Sequence, residues 1–110
     1  MVKLVSHYEG QEEKFLSNGL LGVCFGKKVK DLPRKEDIDK SLIYLITDGV
    51  YKNYLAAFID GKWVFEYPYE FRFFMEVDAD NKLSYFTGHE WIPFEYYDFV
   101  RECFSNNDLE

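Results

Sequence analysis

The chain has 110 residues, room for one hydrophobic core, so residues 1–110 read as a single domain. Its 47% hydrophobic and 30% charged residues are ordinary globular usage, which excludes a disordered tail and a membrane-spanning protein. With 13 basic and 20 acidic side chains the formal charge is −7, which argues against direct binding of a nucleic-acid backbone.

From the N-terminus, Met1 to His7 runs straight into polar residues without a secretory signal. This points to a cytoplasmic protein whose Cys24 and Cys103 stay reduced. The longest apolar runs, such as Leu20 to Phe25, fall far short of the ~20 residues of a membrane helix. A short helix is expected from Gln11 to Ser17, stopped by Asn18-Gly19, with Leu20 to Phe25 returning as a strand. Lys27 to Lys35 is basic, but Asp31 and Pro33 interrupt it, as in a surface loop.

Two readings compete for the next segment. Ile38, Leu42, Leu45 and Ile46 fit one helical face, with Asp37 and Asp39 well placed near its start. Leu42 to Thr47 also reads as a strand running into Asp48-Gly49, and the strand is preferred because a second aromatic strand follows. Asp48-Gly49, Asp60-Gly61 and Asp78-Ala79-Asp80-Asn81 are turn signals. They bound further strands at Val50 to Ile59, Lys62 to Tyr67, Tyr69 to Val77 and Lys82 to Thr87, with Pro68 marking a bend or edge. Alternation places Tyr51, Asn53, Leu55, Ala57, Ile59, Trp63, Phe65, Tyr67, Phe71, Phe73, Met75 and Val77 on a greasy face and Glu66, Glu70, Arg72 and Glu76 on a charged one. Ile92, Tyr96, Phe99, Val100, Cys103 and Phe104 then form the stripe of an amphipathic helix with Pro93 in its first turn. The expected fold is α+β: an antiparallel β-meander of about five strands with a C-terminal amphipathic helix packed on one face.

No catalytic motif emerges. Cys24 lies in the apolar run Gly22 to Phe25, where burial makes a thiol inert, and Cys103 lies on the apolar stripe. His7, Cys24, His89 and Cys103 lack zinc spacing, and the Asp78 turn lacks the glycine and distal glutamate of a calcium loop. Gly19, Gly22 and Gly26 match no phosphate-binding pattern. Neither a cofactor nor a metal is expected.

Charge and aromatics carry the remaining signal. Residues 1–59 hold 9 basic and 8 acidic side chains, whereas 60–110 hold 4 basic and 12 acidic, so the C-terminal half carries the field. Aromatics reach 20% of the chain, and Tyr67, Tyr69, Tyr85, Tyr96 and Tyr97 lie among those acids. Tyrosine is a favoured interface anchor because it buries a rigid ring and keeps a hydroxyl. The expected contact residues are Glu66, Tyr67, Tyr69, Glu70, Glu76, Asp78, Asp80, Glu90, Glu95, Tyr97, Asp98 and Glu102. Their chemistry suits a basic protein such as a nuclease, a toxin or a CRISPR effector, with no direct nucleic-acid or membrane partner.

Leu32-Pro33, Tyr44 to Gly49, Gly61-Lys62-Trp63 and Trp91-Ile92-Pro93 follow an order that resembles small phage and prophage domains of unknown function. Phe94-Glu95 stands where those domains carry a second closing proline. In size, acidity and aromatic content the chain is also similar to toxin-immunity and anti-CRISPR proteins. That likeness implies a non-catalytic inhibitor that blocks a nucleic-acid site with carboxylates and tyrosines. The alternatives are a small enzyme or ligand-binding domain with a site on the open sheet face, converging on His89, Glu90 or Cys24, and a structural accessory subunit.

Overall fold

A computed structural model describes residues 3–6, 14–19 and 22–94 of the chain. Local turn chemistry builds its clearest units. Asp60 and Gly61, at φ +53° and +81°, close a two-residue hairpin between β5 (Leu55–Ile59) and β6 (Lys62–Glu66), with Ile59 opposite Lys62. Asp80 and Asn81, at φ +55° and +56°, complete the turn from β7 (Phe73–Glu76) into β8 (Lys82–Phe86). A third antiparallel step brings β9 (Trp91–Pro93) onto β8, with Trp91 opposite Phe86.

The remaining strands pair across long stretches of sequence. β3 (Cys24–Val29) lies between β4 (Ile43–Ile46) and β7 and runs parallel to both, in a seven-stranded sheet of order β6-β5-β4-β3-β7-β8-β9. All four residues of β4 are buried, as expected of a central strand covered on both faces. Gly26 sits at this junction because nothing larger fits: a Cβ there would lie 1.4 Å from the Ile43 carbonyl oxygen. A separate antiparallel pair, β1 (Lys3–Ser6) and β2 (Lys14–Ser17), contributes Leu16 to the core.

Several sequence expectations are corrected. The described residues are nearly all sheet, and their helical element is a single 3-10 turn at Lys35–Asp37, so the α+β class does not hold. The sheet is not a meander, because β3 takes both of its partners from later in the chain. Ile92 and Pro93, expected to open a C-terminal helix, belong to β9, where the ladder on β8 occupies their backbone. The rest of that stripe, from Tyr96 to Phe104, lies outside the described residues. Of the helix expected at Gln11 to Ser17, Lys14–Ser17 is strand β2, held by β1, and residues 11–13 lie outside the described residues.

At 42–47 the strand forms, but Asp48-Gly49 does not close a tight hairpin. Residues 50–53 turn outward first, and Asn53 donates its N–H to the Ile46 carbonyl at 2.7 Å from φ +78°. The strand expected over Tyr69–Val77 shrinks to Phe73–Glu76, because Phe71 at φ +69° breaks the extended backbone. Face parity also changes in β6 and β7. Phe74, opposite Cys24, is fully buried, and the residues in phase with the core are Val64, Glu66 and Arg72 rather than Trp63, Phe65 and Phe73.

The sheet must be strongly coiled. β6 and β7 are separated by β5, β4 and β3, which in a flat sheet would set them about 19 Å apart. The connection 67–72 can reach only about 20 Å when fully extended, yet it contains a turn in which Arg72 N–H bonds the Tyr69 carbonyl at 3.1 Å. Coiling resolves this and brings opposite corners together. The Trp91 indole N–H donates to the Asn53 carbonyl at 3.0 Å, and the Asn53 side-chain amide reaches the His89 carbonyl at 3.3 Å. The concave face holds the core of Leu16, Cys24, Ile43, Leu45, Leu55, Ala57 and Phe74, where each large side chain contributes roughly 1.5–3 kcal/mol by burial.

Candidate functional site

The coil brings two charged side chains together inside the concave face. Glu66 ends β6 and Arg72 precedes β7, and they are 4% and 2% exposed. Arg72 Nε donates to Glu66 Oε2 at 2.8 Å and Nη2 donates to Oε1 at 3.0 Å, a two-pronged ion pair. Leu16 N–H also donates to Glu66 Oε1, at 2.7 Å. Arg72 Nη2 and Nη1 also donate to the Leu16 and Gly22 carbonyls respectively, so the pair fastens β2 to the sheet as well. Burial works against the Arg72 charge, but the groups around it, the hydrogen-bonded Glu66 carboxylate foremost, together outweigh burial and raise the guanidinium pKa.

Glu66 and Arg72 are also the two ends of a loop. Between them Pro68 is buried, whereas Tyr67, Tyr69, Glu70 and Phe71 face outward, with Tyr67, Tyr69 and Phe71 exposed by 52%, 49% and 62%. The loop is anchored along its length. Tyr67 packs edge-on against Tyr54 and Phe86 at 5.1 and 5.6 Å, Tyr69 meets Phe15 at 5.2 Å, and the Arg72 guanidinium lies 5.4 Å from the Tyr69 ring centre. Phe71 N–H donates to the Phe86 carbonyl at 2.7 Å. Its left-handed backbone is a costly conformation for a bulky residue, and its ring, though exposed, stacks over Tyr85 at 6.5 Å.

Two neighbouring turns complete a corner. The 50–54 turn brings Tyr51, whose ring stacks on Phe65 at 4.5 Å and meets Tyr54 at 5.2 Å, and leaves Val50 nearly fully exposed. The 87–90 turn carries exposed His89 and Glu90 and is closed by the Thr87 hydroxyl, which accepts the N–H groups of His89 and Glu90 at 3.2 Å each. Across these turns the exposed charges are Glu70 and Glu90 against Lys52, a negative excess of one.

The residues expected from the sequence separate into distinct places. Tyr67, Tyr69 and Glu70 are exposed on the 67–71 loop and Glu90 on the 87–90 turn. Glu66 does not reach a partner: it is buried and neutralised by Arg72, because β6 presents its even-numbered residues to the core. Glu76 is half-buried and paired with Lys28 at 3.4 Å. Asp78 and Asp80 are exposed, but on the β7–β8 turn at the far end of β7. Glu95, Tyr97, Asp98 and Glu102 lie outside the described residues. Sequence reasoning missed Phe71 and Tyr51 by assigning both to the greasy face. The available signal was Pro68, since a bend there lifts the following residues off the sheet.

Cys24 is fully buried, its Sγ donates to the Leu16 carbonyl at 3.4 Å, and burial pushes its thiol up to about 12. At neutral pH it is a protonated core residue rather than a nucleophile. Among the described residues no group of three or more His, Cys, Asp or Glu side chains is arranged to hold a metal ion, and no helix is long and apolar enough to cross a membrane. No protein-family model, no curated protein and no solved structure matches the chain.

Proposed function

We propose that the protein is a non-catalytic, protein-binding inhibitor that engages a basic, nucleic-acid-acting protein through the corner formed by residues 50–54, 67–71 and 87–90. The observation that carries this reading is that the 50–54 turn, which touches the 67–71 loop through Tyr54 and Tyr67 and the 87–90 turn through Asn53 and His89, brings together segments that expose Tyr51, Tyr67, Tyr69, Glu70 and Glu90. Large rigid rings supply buried contact area at low entropic cost, and acids around them attract a positively charged surface and raise the association rate. A protein that grips nucleic acid is basic where it grips, so an acidic aromatic surface seated there excludes the nucleic acid.

The test is capture of partners from host lysate on the immobilised full chain, eluted along a salt gradient and identified by mass spectrometry. A basic nuclease, toxin or nucleic-acid-guided effector released by salt, and losing its activity when bound, is the expected result. Reversing Glu70 and Glu90 to Lys should slow association with that protein about tenfold or more at low salt and less at high salt, read by surface plasmon resonance. A target held equally well by the reversed protein would overturn the electrostatic part, and retention of no basic protein would overturn the whole.

A further inference from the structure

We infer that two copies of this chain pair through the free edge of β6, strand beside strand in antiparallel register about Val64, so that their sheets join into one. This pairing is independent of the inhibitor reading and goes beyond it. The two edges of the sheet differ. Among the described residues β6 and β9 each have a strand on one side alone. β9 has three residues and ends in Pro93, which has no N–H to offer a further strand. β6 has five residues, with neither a proline nor a charge at Trp63, Val64 or Phe65. An edge without such protection is a template for another strand.

The hairpin fixes which backbone groups face outward. Ile59 and Lys62 flank its two-residue turn and exchange hydrogen bonds, so Lys62, Val64 and Glu66 turn their N–H and C=O groups toward β5, and Trp63 and Phe65 turn theirs away. Those outward groups make no hydrogen bond among the described residues. A second β6 centred on Val64 sets Trp63 of each protomer opposite Phe65 of its partner, each such pair exchanging two hydrogen bonds. Centring on Trp63 or Phe65 instead would call on Gly61 or Tyr67, which lie outside the strand. The side chains suit the same register. Both rings lie on the convex side and are braced from within their own chain, Trp63 edge-on to Tyr44 and Phe58 at 5.8 and 5.4 Å and Phe65 stacked on Tyr51 at 4.5 Å, yet both remain half-exposed. Aromatic residues then face aromatic residues, and Lys62 faces Glu66, so no like charges oppose across the two-fold axis. The strand is complementary to itself, which selects a second copy rather than an unrelated strand.

Sedimentation velocity of the full chain should show a reversible monomer–dimer equilibrium at micromolar concentration. Two double variants read the register. Trp63→Lys with Phe65→Lys sets like charges opposite each other and should weaken the dimer at least tenfold, although it makes an acidic chain less acidic. Trp63→Glu with Phe65→Lys loses the same rings but sets opposite charges face to face, and should dimerise about tenfold more tightly than the first. Because both lose the same ring contacts, a weakened fold would act on both alike. In a Cys103→Ser background, Val64→Cys should form an oxidised dimer, since position 64 meets its own copy about 4.5 Å away between Cα atoms. The more exposed Lys62→Cys should not, since its two copies lie about 14 Å apart. A monomer at every concentration up to about 0.5 mM would overturn the pairing and leave the edge to an extended segment of another protein. A dimer equally tight in both double variants, or cross-linked as readily at position 62 as at 64, would put the interface elsewhere and overturn it as well.

Discussion

Removing Arg72 strands a carboxylate. Glu66 is 4% exposed and keeps Leu16 N–H as a hydrogen-bond donor, but it loses its counter-charge, so Arg72→Ala should cost about 3–5 kcal/mol in urea unfolding. Replacing both partners, as Glu66→Leu with Arg72→Met, should cost much less, because no unpaired charge then remains inside. Cys24 gives a second residue-scale expectation with a definite sign. Its thiol is raised from an ordinary 9.0 to about 12, so between these values the folded chain keeps a proton that the unfolded chain has released. The thiol's contribution is therefore complete below pH 9 and is lost as pH rises toward 12. Denaturation across that range should show a steeper alkaline decline in the wild type than in Cys24→Ala. Asp39 shifts the opposite way for a local reason: the Ser41 hydroxyl and backbone N–H donate to Oδ1 at 2.6 and 2.9 Å and hold its carboxyl below the usual range.

At the scale of elements, the β1–β2 pair is tied to the sheet by the backbone of Leu16 as well as by its side chain. The two attachments can be separated. Leu16→Ala should open a cavity and cost about 3 kcal/mol while the backbone bonds to Glu66 and Arg72 persist. Arg72→Ala should instead loosen the pair, which hydrogen exchange would report as faster exchange at Phe15 and Ser17 than in Leu16→Ala. The same contrast explains what could be read from sequence. The β5–β6 hairpin and the β7–β8 turn were legible because Asp60-Gly61 and Asp78–Asn81 act within a few residues of the strands they join. The partners of β3 were not, since no local signal reports that Gly26 will meet both Ile43 and Glu76. The parity error in β7 has its own cause. Phe71, Phe73, Phe74 and Met75 put apolar residues on both phases of the alternation, so period two could not decide which phase faces inward. With that phase inverted, Glu66 and Arg72 looked like surface charges, and the loop that they close was invisible.

Over the whole molecule, charge and shape have separate origins. Within the described part of the acidic half, the ion pairs Glu66–Arg72 and Glu76–Lys28 absorb two of its acids, so the outward field comes from exposed residues such as Asp60, Glu70, Asp78, Asp80 and Glu90. These lie in turns at both ends of the sheet rather than across one face, which is why the sequence suggested a single acidic surface where the fold makes two acidic ends. The coil decides which end also carries rings. By joining Asn53 to His89 and Trp91 it gathers at one corner turns that belong to strands well separated in the sheet.

The placement of β3 between two parallel partners also has a consequence in time. β3 is made early, but β4 follows only after residues 30–42 and β7 only after the β5–β6 hairpin is complete. During synthesis, therefore, the future centre of the sheet waits with one or both of its edges unpaired. A hairpin such as β5–β6 closes within microseconds, whereas long-range parallel pairing bears its loop-closure entropy before any contact rewards it. The step that commits the chain is then the arrival of β7 beside β3. Because Arg72 immediately precedes β7, that same step draws the guanidinium onto Glu66 and closes the loop between them, so this loop is among the last parts of the protein to exist.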